Sequence, residues 1–422
     1  MSFIPKLRWK MLALMLVGTI VIYVDRNVLG VLAPVLQKEL HFTTEQYSYV
    51  VSAFQIVYSF SQPIAGYLTD LIGPRIGYAV AAFVWGTAAA LHAAASGWVS
   101  MAGFRALLGL SEAVAMPTGT KVSTLWFPAQ ERSIATGWFN SGSSVGAMIT
   151  PPLVIWLSSA FGWQPAFVIT GLLGCILSIV WFWLYRDPTA HPRLSPEERA
   201  HIVEGRAVDV VTAKPSLKAV FSQKKFIGII LARFLTEPAW QTFSFWIPLY
   251  MVSVRGMDIK QFALFAWLPF LFSDLGCIGG GYLAPILHKR FGFRLINSRL
   301  TVITIGALCM VGPALISFVA SPIVAILCFS LGGFAHQMLS SMMYAVVGDV
   351  FEKSEVATAT GIAGMFGYLG GALFTLVVGA LATTIGYEPL FALLFFFDLA
   401  AAALLWLFIG LPAQRVAVAP AE

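Results

Sequence analysis

Twelve stretches of about 20 mainly apolar residues recur along the chain, near 11–33, 47–69, 78–96, 98–120, 133–158, 164–185, 226–252, 259–286, 296–319, 321–346, 356–381 and 388–410. Twenty residues of α-helix rise about 30 Å, the hydrocarbon thickness of a bilayer. In that medium every backbone N–H and C=O has to be satisfied within the spanning segment. The pattern therefore dictates an all-α membrane protein with 12 transmembrane helices. Composition points the same way: 11% of the residues are charged and 58% hydrophobic, against about 25% charged in soluble domains, and mean hydropathy is +0.81. No small-residue cleavage site follows the first run, which reads as a retained helix and not a signal peptide.

Lys and Arg set the expected orientation. Lys6, Arg8 and Lys10 precede the first run, and alternate loops hold Arg75, Lys121, Arg132, a cluster from Arg186 to Lys225, then Lys289, Arg290, Arg294, Arg299, Lys353 and Arg415. The other side has Lys38, Arg255 and Lys260. Both termini are thus expected on the cytoplasmic face. The net charge of +6 describes that face and implies no nucleic-acid partner. Residues 186–222 break the hydrophobic pattern with Pro188, Pro192 and Pro196, followed by a short helix whose Ser195 and Glu198 resemble a capping box. This segment reads as a cytoplasmic linker between two six-helix bundles, 1–185 and 223–422. Cys175, Cys277, Cys309 and Cys328 stand alone, with neither metal nor disulfide spacing.

The two halves repeat. An offset of 224 residues lays Phe127–Gly137 over Phe351–Gly361, Gly146 over Gly370, and Gly162-Trp-Gln-Pro-Ala-Phe167 over Gly386-Tyr-Glu-Pro-Leu-Phe391. An offset of 215 lays Gly66-Tyr-Leu68 over Gly281-Tyr-Leu283. A six-plus-six parallel repeat with its site at the midplane is the architecture of alternating-access transporters. In the middle of the first run stand Asp25 and Arg26. A charge at the bilayer centre costs from ~2.5 to ~17 kcal/mol, so such residues face an interior cavity and serve function.

Gly66-Tyr-Leu-Thr-Asp70-Leu-Ile-Gly73-Pro-Arg75 resembles the signature loop of the major facilitator superfamily, which implies that Asp70 and Arg75 act at a cytoplasmic gate. The second copy, Gly281-Tyr-Leu-Ala-Pro285, lacks the acid, and a weaker latch is expected there. Asp25-Arg26, Tyr58, Arg105 with Glu112, and Trp126-Phe-Pro-Ala-Gln-Glu131-Arg132 leading to Asn140, Ser143 and Ser144 resemble the anion:cation symporter family. Within it, Phe234-Leu-Thr-Glu237-Pro-Ala-Trp240, Phe265-Ala-Trp267-Leu-Pro269, Asp274-Leu-Gly-Cys277 and Gly332-Gly-Phe-Ala-His336-Gln337 are similar to bacterial hexuronate transporters. The resemblance implies proton-coupled symport of a sugar-acid anion, with an aldonate such as galactonate or another monocarboxylate as the alternative substrate. It also implies protons as the coupling ion with no cofactor, the bacterial inner membrane as location, and a monomer in the lipid bilayer.

The residues support roles within that frame. Arg26 offers a planar fork that matches a substrate carboxylate. Asp25 and Glu112 are candidate proton carriers, because desolvation favours the neutral form of a carboxyl. Arg105, seven residues before Glu112, shares its helix face and is expected to control that acid. Tyr58, Asn140, Ser143, Ser144, Gln241, His336, Gln337 and Tyr368 are candidate partners for sugar hydroxyls, and Trp240, Trp246 and Trp267 for the C–H face of the ring. Arg233 and Glu237, spaced for an intrahelical pair, are assigned with Asp274, Glu131 and Arg132 to gating. Glycines 361, 364, 367, 370 and 371 read as close helix packing. A membrane enzyme is not indicated: His-Glu-x-x-His, Gly-x-Ser-x-Gly and a Gly-rich phosphate loop are all missing from the sequence.

Overall fold

The computed structural model describes residues 7–41, 44–203, 217–257, 265 and 267–410. Of the basic residues used for orientation, Lys6, Lys260 and Arg415 lie outside these, as does 204–216 of the linker. The helices are α1 (Leu7–Glu39), α2 (Thr44–Ile72), α3 (Pro74–Leu91), α4 (Trp98–Glu112), α5 (Ala115–Trp126), α6 (Arg132–Phe161), α7 (Trp163–Leu184), α8 (Pro196–Val203), α9 (Leu217–Ser222), α10 (Lys224–Ser253), α11 (Leu268–Phe291), α12 (Leu295–Cys309), α13 (Val311–Ala314), α14 (Pro322–Val350), α15 (Val356–Ile385) and α16 (Glu388–Ile409). With α4–α5 and α12–α13 each taken as one broken crossing, the described residues make twelve crossings. Ten of these are both long and apolar enough to span a membrane. The other two, α2 and α10, have 29 and 30 residues and carry glutamines or the Arg233–Glu237 pair in their interiors.

Both breaks have a covalent cause. Pro117 has no N–H to give the carbonyl four residues back, and its ring crowds that turn; α4 accordingly stops at Glu112 and α5 restarts at Ala115. Pro313 stands in the same relation to Cys309, where α12 ends. Repeat-related turns also match. Gly162 and Gly386, 224 residues apart, end α6 and α15 with φ of 87° and 83°, a backbone region that is essentially glycine-only.

The halves meet along two seams, α2 against α15 and α6 against α11. Both are backbone contacts at repeat-related glycines. A Cβ on Gly66 would sit 2.2 Å from the Ala357 carbonyl oxygen, and one on Gly361 would sit 2.2 Å from that of Gln62. Across the other seam, a Cβ on Gly137 would be 2.6 Å from the Cys277 oxygen and one on Gly281 2.9 Å from that of Ser133. Gly146 and Gly370 repeat the theme inside each half, against Tyr23 and Ile20 of α1 and Phe234 of α10.

The end of the bundle at which α1 starts is tied across the halves by charge. Asp70 accepts Lys121 Nζ at 2.5 Å, and from α15 the Thr358 N–H and hydroxyl at 2.7 Å each. Arg132 donates to the Gly348 carbonyl and to Asp349 at 2.8 and 2.9 Å. Arg299 pairs with Asp349 and reaches the Ala129 carbonyl. Arg75 is no part of this latch: it donates to the Phe182 carbonyl at 3.0 Å and lies over the Phe182 ring, inside the first half. The second seam, expected to be weaker without an acid at Pro285, takes its acid from Asp349 of α14 instead. Glu131 accepts from Arg8 and His201, and Glu198 of α8 accepts the N–H groups of Leu7 and Arg8. The linker helix thereby caps α1. Ser195 caps Glu198 N–H as half of a capping box, but the glutamate side chain is spent on α1.

Candidate functional site

Two cavities meet at mid-depth, separated by Tyr23, Trp240 and Tyr368, which line both. The larger, about 360 Å³, lies towards the end away from the latches, lined there by Gly30, Val51, Gln55, Arg105 and Phe270. This volume falls in the range of about 300–1,000 Å³ usual for small-molecule sites. The smaller, about 30 Å³, lies towards the latches and is mainly polar, with Asn140, Arg233, Glu237, His336 and Gln337 in its wall.

Arg26 of α1 projects into the larger cavity. Its Nε and Nη2 donate to Oε2 of Glu112 at 3.0 and 2.8 Å, and Nη1 donates to the Tyr368 hydroxyl of the second half at 3.3 Å. The guanidinium is 4.7–4.9 Å from the ring centroids of Tyr23, Phe54 and Tyr58, an aromatic box that holds its plane while leaving N–H groups on the Nη1 edge for a second acceptor. Glu112 is 0% exposed and its Oε1 has no hydrogen-bond partner. Arg105 does not bond Glu112. Its Nη1 and Nη2 donate to the main-chain oxygen of Arg26 at 3.3 and 3.2 Å, so it grips the backbone beneath the side chain that Glu112 holds.

Asp25 points the other way, into the first half beside Thr170 of α7. It is 2% exposed, and neither carboxylate oxygen has a hydrogen-bond partner that meets the usual geometry. An ionised carboxylate buried without a partner is costly.

In the smaller cavity Arg233 donates through Nη2 to Glu237 at 2.8 Å and to the Tyr344 hydroxyl at 3.2 Å, and through Nη1 to Ser340 at 3.1 Å. The pair sits in the central site and not at an end gate. Nine residues into α10, Arg233 is about 14 Å deep, half a bilayer. Asp274 is not its partner; it lies beside Ser144 on the α6–α11 seam. Asn140 donates to Gln337 at 3.2 Å and Gln337 to Ser143 at 3.5 Å, a chain of amides and hydroxyl across the halves. His336 stacks on Trp240, with centroids 6.1 Å apart, and Gln241 lines the larger cavity. Trp246 packs on Tyr387, and Trp267 is 47% exposed; neither lines a central cavity. Tyr23, Phe54, Gln55, Gln62, Ser340 and Tyr344 line the site without having been singled out from the sequence. Their signal was present in Tyr23, Gln55 and Gln62, which fall on the faces that carry Arg26 and Tyr58.

The chain belongs to the Major Facilitator Superfamily, whose model matches residues 15–329 and 293–422. It is a multi-pass membrane transporter and not an enzyme. It is 47% identical over 409 residues to the hexuronate transporter of Escherichia coli K12, covering 96% of this chain and 95% of that one. It is 44% identical over 328 residues to the galacturonate transporter of Dickeya chrysanthemi, covering 77% and 95%. A D-galactonate transporter of Escherichia coli O6:H1 is 31% identical over 397 residues, covering 90% and 91%. The fold superposes on the proton:xylose symporter XylE with a TM-score of 0.75 at 14% identity, covering 95% and 96%, and on FucP in its outward conformation with 0.71 at 17%, covering 95% and 99%.

Proposed function

We propose that this chain imports a hexuronate anion, glucuronate or galacturonate, together with protons, by alternating access across the bacterial inner membrane. The observation that carries the reading is the buried Arg26–Glu112 pair at the wall of the 360 Å³ cavity; the 47% identical hexuronate transporter supports the choice of anion. In this cycle the substrate carboxylate takes over the Arg26 fork, Glu112 loses its cation and accepts a proton, and Asp25 is the second proton carrier. The amide and hydroxyl groups of Gln241, Asn140, Ser143 and Gln337 meet sugar hydroxyls, with Tyr58 and Trp240 against the ring. Bundles 1–185 and 223–422 rock about the site, joined by 186–222. With both termini cytoplasmic, the latched end is the cytoplasmic one, and the state described faces outward.

Proteoliposome uptake of glucuronate, galacturonate and galactonate at two pH values tests this reading. Glucuronate or galacturonate is expected to accumulate when the outside is acidified; uptake of galactonate alone assigns the chain to aldonates. Arg26→Lys keeps the charge but loses the bidentate fork and should abolish substrate binding in a folded protein. Asp25→Asn and Glu112→Gln mimic protonated carboxyls and should stop pH-driven accumulation while binding persists. If both variants accumulate substrate with unchanged pH dependence, this pair does not couple protons.

A further inference from the structure

On the outer surface between α1 and α7 lies an apolar cleft of about 940 Å³. Its walls include Val17, Leu173, Ile176 and Leu184, each between 41% and 55% exposed. Along α1 the cleft runs from Lys10 to Val21, about 16 Å of helix, which is the hydrocarbon depth of a single leaflet. All of its charge is at one end, where Lys10 and Arg193 flank the buried His191. Among the described residues the side chains of Lys10 and Arg193 make no ion pair. Their neighbour Arg8, by contrast, is bound to Glu131 and Glu198.

The matching seam of the second half is closed at the position that corresponds to Leu184. The offset of 224 that relates the halves places Phe408 where Leu184 stands. Phe408 packs so closely on Gly228 of α10 that a Cβ there would lie 2.6 Å from the phenylalanine Cβ. The first half leaves open what the second half fills with its own side chain.

We propose that this cleft binds an anionic phospholipid from the leaflet at the end where α1 starts, with an acyl chain along α1 and α7 and the phosphate between Lys10 and Arg193. Length selects a lipid tail: the groove is one leaflet deep and apolar to its tip. Charge selects the head: two cations at the mouth, with no ion pair among the described residues, match a phosphodiester with net negative charge better than a zwitterion. A peptide helix would demand neither the one-ended charge nor the single-leaflet length.

Native mass spectrometry of the purified full chain, titrated with dioleoyl phosphatidylglycerol, dioleoyl phosphatidylethanolamine or inorganic phosphate, tests the site. One phosphatidylglycerol should bind with about a 25-fold preference over phosphatidylethanolamine, about fivefold from each basic side chain, and the preference should shrink in high salt. The double variant Lys10→Gln/Arg193→Gln, confined to exposed positions, should bind both lipids alike, and Leu184→Trp should exclude both by filling the cleft. Equal binding of the two lipids to the unaltered protein overturns the proposal. So does a preference that survives the double variant, or displacement of the lipid by inorganic phosphate.

Discussion

The two seams between the halves have the same backbone geometry and opposite electrostatics. At α2–α15 an acid of the first half, Asp70, receives the first-turn N–H groups of α15 and the Lys121 ammonium, using the positive end of a helix as a fixed partial charge. At α6–α11 the corresponding position is Pro285, which has no acceptor side chain, and the latch is built the other way round. There, a first-half cation, Arg132, reaches Asp349 of the second, and Arg299 of the second half reaches the Ala129 carbonyl of the first. A duplicated fold is bound to preserve contacts in which backbone meets backbone, because no side chain can substitute for their geometry. The charge that locks a seam is free to change residue, sign and helix, provided each buried acid keeps its cation.

The largest effect is expected from Asp349→Ala, which strands Arg132 and Arg299 together. Removing one partner of a buried ion pair costs about 3–5 kcal/mol, and this site should lie at the upper end, seen as a lowered thermal unfolding midpoint in detergent. Asp70→Ala should fall near about 3 kcal/mol, since the single cation left behind has a flexible stem that can carry it to water. If Asp70→Ala melts below Asp349→Ala, the acid latch is the stronger of the two and the comparison inverts.

Asp70→Asn is the finer probe. It can still accept the Thr358 N–H but gives up the ion pair, and hydrogen exchange of the first-turn amides of α15 should quicken by about tenfold, the equivalent of about 1.4 kcal/mol. Arg75→Ala should leave those amides unchanged, because Arg75 is bound to Phe182 inside the first half. Faster exchange in Arg75→Ala would return that arginine to the latch.

The smallest effect concerns Asp187, just beyond α7. Burial pushes its carboxyl above the ordinary range, partly offset by the Tyr185 hydroxyl, Lys121 and Arg75. A raised folded-state value means the folded protein binds this proton more tightly than the unfolded chain does. Stability from this group therefore rises as pH falls through that value, and its ionised form opposes folding at neutrality. Asp187→Asn should raise the melting temperature slightly at about pH 7 and lose that advantage by about pH 4. A gain that persists in acid would trace to packing and not to charge.

Much of the arrangement could be read from the residues themselves. The apolar runs gave twelve crossings, and the repeat picked out Gly66, Gly281, Gly137 and Gly361, which turned out to be the seam contacts. A spacing of seven put Arg105 and Glu112 on one face, and both turn to Arg26. What spacing could not supply was the atom each would meet, since Arg105 holds a carbonyl and Glu112 a guanidinium. Lys121 was hidden for a different reason. The apolar run ends near residue 120, but the helix continues to Trp126, so a buried partner of Asp70 looked like a loop charge. Trp246 and Trp267 went astray because the end of α10 and the start of α11 are apolar all round, and hydrophobicity then says nothing about rotation. The break at Glu112 was legible in Pro117, whose i−4 relation to Ala113 marks where the helix must open.

Arg26 and Glu112 together are a couple with no net charge. On the cycle proposed above, a substrate carboxylate replaces Glu112 on the guanidinium while a proton neutralises the displaced acid, so the filled site also sums to zero. A reorienting carrier whose centre has the same charge full or empty presents nothing for the membrane voltage to pull on. The roughly 2.3 kcal/mol that each 100 mV exerts on an elementary charge would bypass this pair entirely. Any dependence of uptake on voltage must then be the signature of a second carboxyl loading its own proton, and Asp25 is the one that adjoins Arg26 in the chain.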